Sequence, residues 1–433
     1  MERVFVMNKN TNDPLKRVED QLIKCVKCGA CRATCPAFSV FGRESAVARG
    51  KVALAQHILK DDIKLDDQTY LAMSKCLLCG TCVENCPNDV PTDEIVIAVR
   101  ESLARKRGLT TFHAAVGQVI NNRFIMKMGA AMASLFGPLI FKKVPATSGL
   151  RLRFPVPFIG NKRHIPTIAK MPFIGRHPEV IQGEPGKSRI VFFVGCMTNF
   201  IYTEIGEAAL ALFRHLGCTV IIPKDQQCCG VPGMSGGDMN TVRELAEKNL
   251  EEIEKFESDY VVTACGSCGG ALHQLYPSVL GKRNPELKTR LETLAAKTVD
   301  ASQLLHKLGL KPAETGVGDN VRVTYHDPCH LRTCGVTKQP RELLRGTPGV
   351  ELVEMEGADR CCGMGGTFNV YHYGSSMAIN EPKSQAIIAT AAQTVATGCP
   401  GCILQISDGL KQHGSSVKVL HTLELLARQL AVT

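Results

Sequence analysis

The pattern of hydrophobic and polar positions changes character after Gly186. Before it, apolar residues recur at helical spacing, as at Val52, Ala55 and Leu59, and this predicts a helical first part. After it, short apolar runs alternate with amphipathic stretches, which is typical of strands followed by helices. The predicted strands are 189–194, 219–222, 260–263, 321–325, 351–355, 393–396 and 417–420, and the predicted helices are 203–216, 240–257 and 423–430.

Alternating strands and helices predict parallel sheets covered by helices, with ligands at the carboxyl ends of the strands. The expected fold class is therefore multidomain, with a mainly α-helical domain followed by two duplicated α/β domains with parallel sheets. We place the helical domain at 1–104, a linker at 105–187, and the two α/β domains at 188–312 and 313–433.

The predicted linker is strongly basic. Between 105 and 178 there are 13 Lys or Arg residues and no Asp or Glu, whereas the whole chain carries +10. An uncharged run at 128–141 is too short to span a membrane, which takes about twenty apolar residues. The segment is expected to pack on its own domains or on an acidic partner, with contact to a membrane surface as the alternative. Nucleic acid is not expected as a partner, because no binding module with interleaved aromatic residues is present.

Composition and cysteine usage indicate the compartment. The chain has 433 residues, 44% of them hydrophobic, which is enough to build several cores. Its first ten residues do not resemble a signal peptide, and its 20 cysteines are spaced as metal ligands rather than as a disulfide framework. We expect a cytoplasmic protein, with peripheral contact at the inner face of the cytoplasmic membrane as the alternative.

Eight cysteines form two runs of the pattern C-x2-C-x2-C-x3-C-P. This spacing lets three thiolates hold one cubane cluster while the fourth reaches the neighbouring cluster, so the ligand sets are crossed. Zinc is the alternative, but it prefers ligands in two pairs. The predicted sets are Cys25, Cys28, Cys31 and Cys86 for one 4Fe-4S cluster, and Cys76, Cys79, Cys82 and Cys35 for the other.

Ten further cysteines form two sets of five, separated by 133 or 134 residues, which indicates an internal duplication. Five thiolates exceed the four that a cubane or a zinc ion needs, so either one is spare or the cluster is larger or more open. Buried structural thiols and zinc knuckles remain alternatives. Cys218 is expected to fill the core, and Cys334 has no assigned role. The sets are Cys196, Cys228, Cys229, Cys265 and Cys268, and Cys329, Cys361, Cys362, Cys399 and Cys402.

These motifs resemble the CCG-domain iron-sulfur proteins. The order of parts is similar to the iron-sulfur subunit of glycolate oxidase and of related D-lactate dehydrogenases, and to the electron-carrier subunit of anaerobic glycerol-3-phosphate dehydrogenase. The second half is also similar to the catalytic subunit of heterodisulfide reductase. The residues that carry the resemblance are the two ferredoxin runs, Gly195-Cys196, Cys228-Cys229-Gly230, Cys265-Gly-Ser-Cys268, His326-Asp-Pro-Cys329-His330, Cys361-Cys362-Gly363 and Cys399-Pro-Gly-Cys402.

The resemblance implies an electron-transfer subunit of a 2-hydroxy acid dehydrogenase, for lactate or glycolate. An FAD-dependent partner subunit would oxidise the substrate, and a quinone or other acceptor would receive the electrons. The alternatives are the glycerol-3-phosphate version and a reductase with catalytic noncubane clusters. The expected cofactors are two 4Fe-4S cubanes and two further 4Fe-4S clusters in the CCG domains, noncubane in the reductase case.

Two other features of the sequence carry less weight. His326 and His330 flank Cys329, where they would either shuttle protons or hydrogen-bond the cluster and its loop. The glycine-rich Gly363-Met-Gly365-Gly366 stands beside predicted cluster ligands, and a partial match of this kind does not make a dinucleotide site. No catalytic residue and no flavin site are assigned to this chain.

Overall fold

The computed structural model describes residues 13–122, 125–126, 128–129, 141–144, 149–152, 163, 166–283, 285–310 and 320–432. Most of the uncharged run at 128–141 lies outside these residues. The expected fold class is confirmed, since a helical part precedes two α/β parts whose main strands are parallel.

The first part of the chain is helical. Its longest helices are Ala48–Leu59 and Thr92–Arg107, and they pack against each other. Val52 and Ala55, which follow the predicted helical spacing, are buried in the core. The shorter helices are Lys16–Val18 (3-10), Glu19–Leu22, Ala30–Thr34, Pro36–Phe41, Glu44–Ala46 (3-10), Asp67–Ser74, Thr81–Glu84 and Thr111–Asn121.

The segment that was predicted to be a linker is partly built into the fold. Strands β1 (Phe141–Val144) and β2 (Gly149–Leu152) form an antiparallel pair, and a 3-10 helix spans Phe173–Gly175. Phe173 is 0% exposed and belongs to the core of the first α/β domain. The helix Thr92–Arg107 runs past residue 104, which is the predicted end of the helical domain. The domain boundaries therefore stay a prediction.

The first α/β domain contains a five-stranded sheet of order β3-β5-β4-β6-β7. All pairs are parallel except β3 with β5 at one edge. The strands are β3 (Val180–Ile181), β4 (Arg189–Phe193), β5 (Thr219–Ile221), β6 (Tyr260–Thr263) and β7 (Thr298–Asp300). The helices are Gly195–Phe200, Thr203–His215, Val231–Gly236, Met239–Glu254, Gly266–Gly270, Ala271–Leu280 (π), Gly281–Arg283 (3-10), Pro285–Lys297 and Ala301–Lys307.

Among the residues that the structure describes, the second α/β domain repeats this order without an antiparallel edge strand. Its four parallel strands lie in the order β9-β8-β10-β11, which corresponds to β5-β4-β6-β7 of the first domain. The strands are β8 (Val321–His326), β9 (Val350–Leu352), β10 (Thr394–Thr397) and β11 (Lys418–His421). The helices are Cys329–Thr333, Lys338–Arg345, Phe368–Tyr371, Tyr373–Ala389, Pro400–Gln412 and Thr422–Gln429.

The three parts share their cores. The C-terminal helix Thr422–Gln429 packs against Thr203–His215 of the first α/β domain, where Leu423 and Leu426 join the core around Phe192. Another apolar cluster runs from the helical domain through both α/β domains. Because these cores are continuous, the cysteine loops of the three parts are held in fixed positions relative to one another.

Among the residues that the structure describes, none of the helices has the length and apolar character needed to cross a bilayer.

Candidate iron-sulfur site

The two ferredoxin-type runs fold into loops with matching backbone geometry. Lys27 and Leu78, each placed directly before the second cysteine of its run, adopt left-handed φ values of 58° and 54°. The glycine that follows that cysteine is also left-handed, with φ 90° at Gly29 and 71° at Gly80. Non-glycine residues rarely adopt this conformation, so its occurrence at the same position of both runs indicates a shared loop geometry. Each loop thus wraps closely around the space that its cysteines surround.

Two cavities lie inside these loops. The first is lined by Cys25, Cys28, Cys31 and Cys86, together with Cys82. The second is lined by Cys35, Cys76, Cys79 and Cys82. Each cavity therefore takes three cysteines from one run and the last cysteine of the other, as the crossed ligand sets require. We call the first cavity the outer ferredoxin site and the second the inner ferredoxin site.

Two buried cations flank the inner ferredoxin site. Lys51 is 1% exposed, and its Nζ donates to the carbonyl oxygens of Ser45 (2.9 Å) and Ala46 (2.6 Å). Arg100 is 5% exposed, and its Nη2 donates to the carbonyl of Cys76 at 2.7 Å. Burial lowers the pKa of Lys51, while the nearby Cys76 and Cys35 thiolates act in the opposite direction. These cations would offset the negative charge of a thiolate-bound cluster, a role that the sequence did not reveal.

Each set of five cysteines lies at the carboxyl ends of the parallel strands, as predicted. In the first α/β domain β4 leads to Cys196, the loop after β5 carries Cys228 and Cys229, and β6 leads to Cys265. The Sγ atoms of Cys196 and Cys228 are 3.8 Å apart. The second domain delivers Cys329, the pair Cys361 and Cys362, and then Cys399 from the corresponding strands.

The cysteine side chains form one continuous series that joins the domains. The Cys79 side chain of the inner ferredoxin site contacts those of Cys329 and Cys361. At the other end of the second set, the Cys399 side chain contacts Cys265 of the first set. From one end to the other the series runs Cys79, Cys329, Cys361, Cys362, Cys402, Cys399, Cys265, Cys268, Cys229, Cys228 and Cys196.

Two glycines next to predicted cluster ligands leave no room for a side chain. Gly195 and Gly363 are both left-handed, with φ 72° and 92°. A Cβ atom on Gly195 would lie 2.8 Å from the Sγ of Cys268, and one on Gly363 would lie 2.5 Å from the carbonyl oxygen of Ser376. A side chain at Gly195 would therefore collide with a cysteine of the first set, whereas one at Gly363 would collide with the helix Tyr373–Ala389.

The second set has a histidine that the first set lacks. His326 is 0% exposed, and its Nδ1 lies 3.2 Å from the carbonyl oxygen of Ala358. Since Nδ1 must donate to that carbonyl, Nε2 is the ring nitrogen left for the site, where the imidazole contacts the Cys362 side chain. Three ligand atoms lie within 4.8 Å of one another here, one each from His326, Cys362 and Cys402. The corresponding residue 133 positions earlier is Phe193.

A buried lysine adds to this asymmetry. Lys383, 2% exposed, donates from Nζ to Gly357 (2.6 Å) and to Ala358 (2.9 Å), the carbonyl that His326 also uses. Burial lowers its pKa to about 8. His330 lines the cavity that the cysteines of the second set surround, and its Nε2 lies 2.9 Å from the carbonyl oxygen of Leu78. Lys383 therefore places a buried amino group beside the second set.

The two remaining cysteines lie apart from these sets. Cys218 is 1% exposed within the apolar core of the first α/β domain, as the sequence predicted. Cys334 is partly exposed at the end of the helix Cys329–Thr333, and burial raises the pKa of its thiol to about 12.

Two ferredoxin-type loops joined to duplicated cysteine-rich α/β domains define an iron-sulfur electron-transfer protein. Residues 190–273 and 323–407 match the CCG family, described as "Cysteine-rich domain", and residues 21–90 match the "4Fe-4S dicluster domain". The chain belongs to the CCG-domain iron-sulfur proteins, as the resemblance predicted.

Three relatives show which kinds of protein the chain is similar to. The chain is 31% identical over 422 residues to the "Probable glycolate oxidase iron-sulfur subunit" of Bacillus subtilis, covering 94% of each chain. It is 30% identical to one of the subunits of "Fumarate reductase (CoM/CoB)" of Methanothermobacter marburgensis, over 93% of this chain and 71% of that one. It is 35% identical to "Lactate utilization protein A" of Geobacillus kaustophilus, over 55% of this chain and 98% of that one.

Proposed function

We propose that this chain is the iron-sulfur subunit of a flavin-dependent 2-hydroxy acid dehydrogenase that oxidises lactate or glycolate. The observation that carries the proposal is the continuous series of cysteines from Cys79 to Cys196, which is suited to stepwise electron transfer. The names of the glycolate oxidase and lactate utilization relatives support the substrate class. A partner subunit with FAD would take the hydride, and this chain would pass single electrons towards a quinone or other acceptor.

The same geometry supports the proposed ligand sets. We assign a 4Fe-4S cubane to each ferredoxin site, with the crossed cysteine sets, and a further cluster to each set of five. The contacts of Cys79 and Cys399 support a fixed order of clusters: outer ferredoxin, inner ferredoxin, second CCG and first CCG. A cluster supplies one-electron redox chemistry, while the chain supplies the thiolates, the buried cations and the exclusion of water.

A specific observation favours a second candidate function. Both sets of five are complete, and the fumarate reductase relative is named for two coenzymes, CoM and CoB. In this interpretation, which follows the resemblance to heterodisulfide reductase, the second CCG cluster would cleave a disulfide or a similar bond beside His326, Cys362 and Cys402. The chain would then be a catalytic subunit rather than a carrier alone.

The basic segment 105–178 supports a docking role less well than its charge suggests. Arg105 pairs with Glu101, Arg107 with Asp67, and Arg176 with Glu207. Arg163 bonds to Asn369 and lies over the ring of Tyr373. Four of the thirteen basic residues are thus engaged within the chain. Cytoplasmic location and peripheral membrane contact remain parts of the proposal.

The test uses the tagged chain purified anaerobically from its own host with its partner subunits. Lactate or glycolate should reduce its clusters, as followed by EPR, only when an FAD-containing subunit is present. The isolated chain should accept electrons from dithionite and leave both acids unoxidised. Oxidation of a hydroxy acid by the isolated chain would refute the proposal, and disulfide cleavage by it would support the second candidate.

A further inference from the structure

A cavity of about 120 Å³, separate from the cluster sites, lies where the helical domain and the two α/β domains meet. The helical domain contributes Tyr70 and Arg100, and the segment that follows it contributes His113. The first α/β domain contributes Ser235, and the second contributes Tyr371. None of the residues that the structure describes in its wall is an Asp or a Glu.

Arg100 is the most informative residue of this cavity. It is 5% exposed, and its Nη2 donates to the carbonyls of Met73 (2.7 Å) and Cys76 (2.7 Å). Nε and Nη1 are buried and have no hydrogen-bond partner among the described residues. A buried guanidinium with unmet donors is costly unless an acceptor, preferably an anion, satisfies it.

The rest of the wall offers hydrogen-bonding groups without negative charge. Thr110 Oγ1 lies 2.6 Å from the Tyr371 hydroxyl and 2.9 Å from His113 Nδ1. His113 Nε2 lies 3.2 Å from Thr367 Oγ1, which lies 2.6 Å from Ser235 Oγ. This series of hydroxyls and one imidazole can orient a second polar group of a ligand. Arg107, which pairs with Asp67, also lines the cavity.

We propose that this cavity is a binding site for a small organic carboxylate. The Arg100 guanidinium would receive the carboxylate, because the unmet donors suit an anion and no acidic side chain in the described wall competes for them. The hydroxyl series from Tyr371 to Ser235 would receive a hydroxyl or keto group of the ligand. A volume of about 120 Å³ restricts the ligand to a few heavy atoms.

The position of Arg100 couples this site to the clusters. The same guanidinium donates to the backbone of Cys76, a predicted ligand of the inner ferredoxin cluster. A bound anion would therefore disfavour the reduced, more negative cluster. By linkage, reduction of that cluster must weaken carboxylate binding by the same factor by which the bound anion disfavours reduction. For two coupled sites this factor is typically about fivefold or more. This coupling rests on the proposed cluster assignment, whereas binding itself does not.

The test is calorimetric titration of the isolated holo-protein, oxidised and then reduced, kept anaerobic, with lactate and with its uncharged amide. Lactate should bind, the amide should not, and binding should weaken on reduction. Arg100→Gln should weaken binding about tenfold or more, since it removes the charge. Ala104→Phe, which fills the cavity from the same helix, should abolish it, and the exposed Lys106→Gln should match the parent protein.

Iron content and cluster EPR spectra, recorded for every variant, show whether each has folded. If Arg100→Gln loses a cluster, the lactate affinities of Ala104→Phe and Tyr371→Phe test the proposal in its place. The proposal is overturned if lactate does not bind at millimolar concentration, if the amide binds equally well, or if Ala104→Phe leaves the affinity unchanged. None of these results depends on a flavoprotein partner, so failure here and failure of the proposed function are distinguishable.

Discussion

The side chains of Cys265 and Cys399 contact each other across the boundary between the two α/β domains. These residues occupy equivalent positions in the duplicated sequence, 134 residues apart. The two copies are therefore arranged so that the same cysteine of each set faces its counterpart. A duplication has in this way placed two redox sites side by side without a separate connecting element.

Metal content is the most direct check of the assignment. Eight cysteines for two cubanes and ten for two CCG clusters predict about sixteen iron atoms in anaerobically prepared protein. Iron and zinc analysis with Mössbauer spectroscopy measures this number and separates cubane from noncubane iron. About eight iron atoms together with stoichiometric zinc would contradict the assignment of the CCG sets.

The paired cysteines should be separable from the ferredoxin sites. Cys228→Ser and Cys361→Ser should each remove or convert one CCG cluster and leave the EPR signal of the outer ferredoxin cluster unchanged, because the ligand sets are distinct. Cys361→Ser should also disturb the inner ferredoxin cluster, since Cys361 contacts Cys79. Cys218→Ala is the matched control and should keep all the iron.

Lys51 should set the potential of the inner ferredoxin cluster. Lys51→Met removes a buried positive charge beside Cys35 and Cys76, so the reduced state loses stabilisation. We expect its midpoint potential to fall by about 60 mV, a tenfold change for a one-electron couple. EPR-monitored redox titration measures this shift. The exposed Lys60→Met should leave the potential where it was, and an equal shift in both variants would disprove the role of Lys51.

His326 should distinguish the two CCG clusters. His326→Phe gives the second site the residue that the first has at Phe193, so the spectra of the two CCG clusters should become more alike. The iron content should stay constant, because the five cysteines remain. Mössbauer spectra of the variant and the parent protein measure the change. Spectra identical to those of the parent would show that His326 does not influence the cluster.

Phe173 should be part of the folded core despite its place in the predicted linker. It is fully buried, and its ring atom Cδ2 would lie 2.7 Å from a Cβ atom placed on Gly206. Phe173→Ala should cost about 3–5 kcal/mol in the free energy of unfolding. Met171→Ala, at a residue 53% exposed, should change it by about 0.5 kcal/mol or less. Urea denaturation followed by circular dichroism compares the two, and equal stability would place Phe173 outside the core.

Local patterns predicted much of the fold. Tyr260–Thr263 forms the strand expected there, and Thr203–His215 ends one residue before its predicted limit. The strand expected at 351–355 is found at Val350–Leu352, where short length weakens the alternating pattern. The antiparallel strand Val180–Ile181 was missed, because two residues of pairing at a sheet edge leave no periodic signal.

The sequence located the cysteines of the candidate site but not the contacts between its parts. Cysteine spacing is a local property, and it pointed to every residue of the series. The contacts of Cys79 with Cys329 and of Cys265 with Cys399 depend on how whole domains pack, which spacing does not encode. Lys51 and Arg100 were missed because a charged residue on a helix is normally solvated, and only the packed structure shows them buried.

The depth of the thiols also sets the order in which air would damage the protein. Cys28, at the outer ferredoxin site, is exposed, whereas nine of the ten CCG cysteines are buried, with Cys196 partly exposed. Oxygen would reach the outer cluster before the others, and the chain would first lose the cluster nearest to solvent. A sample that has lost part of its iron would then keep its other clusters intact, but these could no longer exchange electrons through the outer ferredoxin site.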